Sequence, residues 1–175
     1  MDTARVGLAR AENRRANVRQ ALELVREDIE PKLAEQIVLK PNFLTSKNQL
    51  ASTHPDAMRG AIDFILSTPT RPDEIIIAEG GNEDYSGEAF EKFEYAKLQE
   101  EYNLPIRLVD INQETEWEQT TIHMAGGVET IVRMPKIVLD CPCTISVAVA
   151  KTHDVCVVTL AQKNMIMGTL HKDDR

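Results

Sequence analysis

Short, continuous apolar runs separated by amphipathic stretches constrain this chain more than any other feature. Ile37-Val38-Leu39, Ile75-Ile76-Ile77-Ala78 and Ile106-Arg107-Leu108-Val109 are too short to be helices of ordinary length. They read as strands, the first two apolar at every position, as strands covered on both faces are. Each runs into a polar tip: Lys40-Pro41-Asn42, Glu79-Gly80-Gly81-Asn82 and Asp110. Residues 144–150 form a fourth run of this kind and lead into Lys151-Thr152-His153.

Between the strands, apolar residues recur at helical spacing. Val18, Ala21, Leu22, Val25 and Ile29 share one face, and Pro31 ends that helix. Thr53-His54-Pro55-Asp56 reads as a helix start, with Thr53 as N-cap and Pro55 in the first turn, followed by a stripe of Ala57, Ala61, Ile62, Ile65 and Leu66. Residues 88–102 suit one helix and residues 155–166 another, while Val6-Gly7-Leu8-Ala9 suits a short first strand. Thr121-Ile122-His123-Met124 and Thr130-Ile131-Val132-Arg133 flank Gly126-Gly127 as a hairpin would. The expected fold is α/β in three layers: a mostly parallel mixed sheet with helical crossovers and one antiparallel hairpin excursion, in a single domain over residues 1–175.

Composition narrows the partners. With 175 residues, 42% of them hydrophobic, the chain can bury a core without metal or disulfide support. Twenty basic against 28 acidic residues give a net charge of -8, which argues against general nucleic-acid binding. It does not argue against a small anion, because the field at a site follows its nearest charges. Three cysteines, Cys141, Cys143 and Cys156, are too few for a disulfide framework and suggest a reducing compartment. No apolar segment approaches the length of a membrane span or a secretory signal, so a cytoplasmic location is expected.

Ligands of open parallel sheets bind beyond the carboxyl ends of the strands, which makes the polar tips the candidate site. Val38-Leu39-Lys40-Pro41-Asn42, Thr53-His54-Pro55, Ala150-Lys151-Thr152-His153 and Lys163-Asn164 with Gly168 also resemble, in order, the motifs of the domain of unknown function 362 family. The resemblance spans roughly residues 5–170 and implies no general reaction. It implies an association with iron-sulfur systems, since many members carry a separate ferredoxin-like cysteine module. No Cys-x-x-Cys-x-x-Cys run occurs here, so no intrinsic cluster is expected and the cofactor is unknown. Members usually continue past the Lys-Asn segment. The chain therefore reads as an N-terminal portion or a short member, incomplete at its C-terminus, with a sheet edge for a partner or a second copy to cover in a homo-oligomer.

Residue by residue, Lys40 can donate to a phosphate or carboxylate that Asn42 orients, or can be a solvated lysine at a strand end. His54 can carry a proton or bind a ligand at a helix start, or simply belong to that start. Lys151 and His153 emerge from an apolar strand two residues apart and point the same way if extended, which suits catalysis or an anion clamp. Lys163 and Asn164 can turn into the same cleft, or Lys163 can complement a helix C-terminus. Glu79 can act as acid, base or ligand-binding group beside two glycines. Asp110 is a weaker candidate, and His123 and His171 have no supporting pattern. Cys141-Pro142-Cys143 invites a metal reading, but only Cys156 remains to assist, so no metal site is assigned. Two functions follow as expectations: an anion-binding cleft for a small phosphate or carboxylate compound, or a non-catalytic accessory module that binds a redox protein.

Overall fold

The computed structural model describes residues 3–81, 86–124 and 126–175. The apolar runs become the strands of one parallel sheet. In chain order the elements are helices α1 (Arg14–Glu23) and α2 (Arg26–Ile29), strand β1 (Gln36–Lys40), α3 (Pro55–Leu66), β2 (Glu74–Glu79), α4 (Ser86–Lys92), α5 (Lys97–Glu101) and β3 (Ile106–Asp110). They continue with β4 (Trp117–His123), β5 (Glu129–Pro135), α6 (Lys136–Leu139), β6 (Cys143–Ser146), β7 (Lys151–His153), β8 (Val157–Thr159) and α7 (Ala161–Met167). The sheet order is β3-β2-β1-β6, with every pairing parallel. The hairpin expected near Gly126-Gly127 forms as β4-β5, and both glycines take positive φ. It stands as a two-stranded sheet of its own, as does β7-β8.

Alternation along each strand divides the core in two. Ile37, Leu39, Ile75, Ile77 and Ile106 face α3 and the aromatic residues of the α4-α5 region, whereas Val38, Ile76, Ala78 and Val109 face Val138 of α6, with Trp117 and Met165 packed beside them. Helices or chain thus cover both faces of the sheet, which is why its strands are apolar throughout. Each fully buried isoleucine stabilises the fold by about 1.5–3 kcal/mol relative to exposure.

One cluster positions the loop after β1. Phe43 meets Phe90, Phe93 and Tyr95 edge to face, with centroid separations of 5.1, 5.7 and 5.1 Å. The Tyr95 hydroxyl donates to the Thr53 carbonyl at 2.8 Å. Tyr95 reaches this place because the expected helix over 88–102 breaks into α4 and α5, with Glu94 between them at φ 60°.

Other expectations are corrected. Val6-Gly7-Leu8-Ala9 forms no strand: Val6 and Leu8 are 87% and 89% exposed, and among the described residues the segment pairs with no strand. The 144–150 strand stops at Ser146, since its ladder partner β1 ends at Lys40. The helix expected over 155–166 begins only at Ala161, because the β-branched residues Val157-Val158-Thr159 pair with Lys151-Thr152-His153 instead. Thr53 is not the cap of α3. Its hydroxyl accepts from the Asn42 N–H at 2.9 Å and donates to the Val147 carbonyl at 2.7 Å, leaving His54 as N-cap.

The helices α1 and α3 approach closely at Gly60, where an added Cβ would lie 2.4 Å from the Arg15 carbonyl oxygen and 3.0 Å from Val18 Cβ. Gly60→Ala is expected to destabilise the protein by about 1–3 kcal/mol, despite the better helix propensity of alanine, because the helices must separate. The urea midpoint of unfolding measures this, and an unchanged or higher midpoint would contradict the packing account.

Candidate functional site

Parallel pairing brings the strand tips to one end of the sheet. Lys40 lies in register with Ser146, and Glu79 with Asp110. Lys40 and Glu79 extend from neighbouring strands into the interior and form an ion pair, both side chains almost fully buried. The three Lys40 ammonium hydrogens are taken by the Glu79 carboxylate, the Pro41 carbonyl at 2.9 Å and Asn164 Oδ1 at 3.3 Å. Burial pushes the Lys40 ammonium below the ordinary lysine range and the Glu79 carboxyl above the usual carboxylate range, while each opposes the other's shift.

Asn164, also buried, connects this pair to the rest of the site. Its amide donates to the carbonyls of Lys40 (3.2 Å) and Pro41 (3.0 Å) and to Ser146 Oγ (3.0 Å). Its oxygen also accepts from Asn42 Nδ2 at 3.3 Å. Asn42 Oδ1 in turn accepts from Lys151 Nζ, which also donates to the Ala51 carbonyl at 3.1 Å. A chain of hydrogen bonds thus joins Lys40, Asn164, Asn42 and Lys151, residues up to 124 positions apart in sequence.

Above this floor is a cleft of about 210 Å³. Its lining includes Asn42, Glu79, Lys151, His153, Lys163 and Asn164. Six of the eight residues expected from sequence therefore meet there. Lys40 and His54 are not on the lining. Lys40 is fully buried, with its ammonium hydrogens taken by Glu79, Pro41 and Asn164. His54 Nδ1 accepts from the Asp56 N–H at 3.1 Å in its capping role. Of the Glu79-Gly80-Gly81-Asn82 tip, Asn82 lies outside the described residues, and Gly80 lines the cleft.

The remaining polar groups differ in their commitments. Lys151 is held below the ordinary lysine range by burial first and by neighbouring Lys163, against the pull of Glu79. Lys163 makes no side-chain hydrogen bond or ion pair to the described residues, and it sits in the first turn of α7 rather than at a helix C-terminus. His153 Nδ1 accepts from the N–H groups of Val155 (3.1 Å) and Cys156 (3.2 Å). The same nitrogen lies 3.0 Å from Asp154 Oδ1. Lys151 and His153 do share a face, as the β7 strand requires.

Sequence reasoning missed several members of this arrangement. Ser146 acts through a hydroxyl that nothing local distinguishes, and Thr53, expected as a helix cap, bonds instead to Asn42 and Val147. Gly168 matters for lacking a side chain: a Cβ there would lie 2.7 Å from Lys40 Nζ and 2.5 Å from the Asn164 carbonyl oxygen. Its place in the Lys163-Asn164-Gly168 spacing was the available signal. Thr159, buried, and Arg175 also line the cleft, and Arg175 donates to the carbonyls of Gly80 (2.9 Å) and Gly81 (3.0 Å).

A family model described as domain of unknown function 362 matches residues 37–175, most of the chain. The chain belongs to the domain of unknown function 362 family. The match begins within β1, so the site residues of this family member all fall inside it, while α1 and α2 precede it. No curated protein and no solved structure matched the chain. Among the described residues, no three His, Cys, Asp or Glu side chains are placed to hold a metal ion, and no helix is long and apolar enough to cross a membrane. Cys141 and Cys143 are buried and Cys156 is exposed.

Removing one member of the buried pair strands the other. Lys40→Met is expected to cost about 3–5 kcal/mol at neutral pH, and the double variant Lys40→Met/Glu79→Leu distinctly less. The sign of the pH dependence follows from Glu79. In Lys40→Met its folded pKa rises further above the unfolded value, so its contribution is intact below the unfolded pKa and lost as pH rises through the folded one. The stability gap to the parent protein should therefore shrink from pH 7 towards pH ~5, still above the ordinary glutamate pKa near ~4.3. Urea unfolding at several pH values measures the gap; a constant gap would refute the assignment.

Proposed function

We propose that the cleft binds a small molecule through a phosphate or carboxylate group. The observation that carries this reading is a local excess of positive charge in a protein of net charge -8. Lys151 and Lys163 both border the cleft, and Glu79, the one acidic side chain on its lining among the described residues, is already paired with Lys40. Lys163 has no carboxylate partner within the described residues, and an anion would supply one. Lys151 is held in place by neutral acceptors, the Asn42 amide and the Ala51 carbonyl, so its charge is oriented but not neutralised. Charge-assisted bonds from two such ammonium groups are the strong kind, and a partly desolvated cleft screens them less than bulk water would.

The same groups supply chemistry. Lys151, with its lowered pKa, is suited to exchange a proton, and His153 stands two residues away on the same face of β7. In this reading Lys163 and Lys151 hold the anion, Asn42 and Asn164 orient Lys151, and Lys151 with His153 serves any proton transfer.

Sulfate, whose charge is constant above neutral pH, is the direct probe. Titration calorimetry should show a single site, and Lys163→Ala or Lys151→Ala should weaken it about tenfold to a hundredfold, the worth of a hydrogen bond to a charged group. Affinity should fall as pH rises, beginning below the ordinary lysine value of about 10.4, because Lys151 loses its proton early. Absence of saturable sulfate or phosphate binding, or binding indifferent to both substitutions, would overturn the proposal.

A further inference from the structure

The cleft is larger and less polar than a bare oxyanion needs. Its volume of about 210 Å³ approaches the range of roughly 300 Å³ and above in which organic ligands bind. Its lining joins two chemistries. The β7-β8 hairpin supplies Lys151, His153 and Thr159, and α7 supplies Lys163. Phe43 and Leu44, which follow the Lys40-Pro41-Asn42 tip, and Met167, which ends α7, supply an apolar portion of the wall. Phe43 is buried and held by the aromatic cluster. Leu44 is 45% exposed, and it stands on the cleft with hydrocarbon facing water.

Resting on the anion-binding reading, we infer that the cleft selects an organic anion, a monophosphate ester or carboxylate that carries an aromatic or branched hydrocarbon group. The charged end meets Lys151 and Lys163, and the apolar end lies against Leu44, Phe43 and Met167. An ion with no hydrocarbon leaves that wall wet. Covering it removes apolar surface from water, which is favourable in proportion to area. Such a wall also discriminates among anions that the two lysines alone would accept equally.

Methyl phosphate and phenyl phosphate are the probes, since both are monoesters and differ mainly in the apolar group. Calorimetry on the full chain should find phenyl phosphate bound about tenfold more tightly. Leu44→Ser, a change at a half-exposed loop position, should bring the ratio of the two affinities close to one, with circular dichroism confirming that the variant is folded. Lys163→Ala should weaken both esters together. Equal affinities in the parent protein, or a phenyl preference that survives Leu44→Ser, would overturn this inference while leaving the anion site standing. Failure of sulfate and of both esters to bind would instead remove the anion-binding reading itself.

Discussion

The ion pair between Lys40 and Glu79 is the contact on which the arrangement of this end of the molecule depends. Two charges taken out of water cost several kcal/mol each, and their mutual attraction returns that only where the remaining hydrogen bonds are also satisfied. Here they are: the Pro41 carbonyl and Asn164 accept the other two ammonium hydrogens, and among the described residues no buried polar side-chain atom lacks a partner. Net stability from such a pair is small. Its consequence is geometric, because the lysine satisfies its three hydrogens only with β1, β2 and α7 in this relation.

From that pair the positions of the other groups follow. Asn164 is held by the backbone of the β1 tip and passes the constraint to Asn42, which accepts a hydrogen bond from Lys151 on the cleft lining. Gly168 completes the packing by leaving room for the lysine. With Glu79 paired to Lys40, Lys151 bonds to neutral acceptors and Lys163 to no side chain among the described residues. The buried pair and the half-buried Lys151 and Lys163 thus belong to one arrangement, although the sequence presents Lys40 and Lys151 alike as lysines at strand tips.

Much of the fold was legible because it follows from periodicity. Apolar runs such as Ile75-Ile76-Ile77 have few alternatives to a strand covered on both faces, and Gly126-Gly127 between β-branched residues has few alternatives to a hairpin. Errors came where a local preference competed with a partner elsewhere. Val6 and Leu8 have strand-like character but pair with no strand among the described residues. Thr53 would cap α3 on local grounds, yet Asn42 and Val147 claim its hydroxyl and the cap passes to His54. Residues 155–159 fit a helix in isolation, but Val157, Val158 and Thr159 pair with β7 instead.

By itself the sequence determined the parallel sheet, the end at which the polar tips collect, and the family, since these depend on short-range pattern and on the order of motifs. It also nominated the residues of the site. What each does was decided only in the tertiary structure. Lys40 and Lys151 follow strands of similar character and differ little in local surroundings, but one meets a buried carboxylate and the other an open cleft. Burial and the nature of the partner set the charge, the freedom and hence the role of an ionisable side chain, and both depend on residues as distant as Glu79 and Asn164.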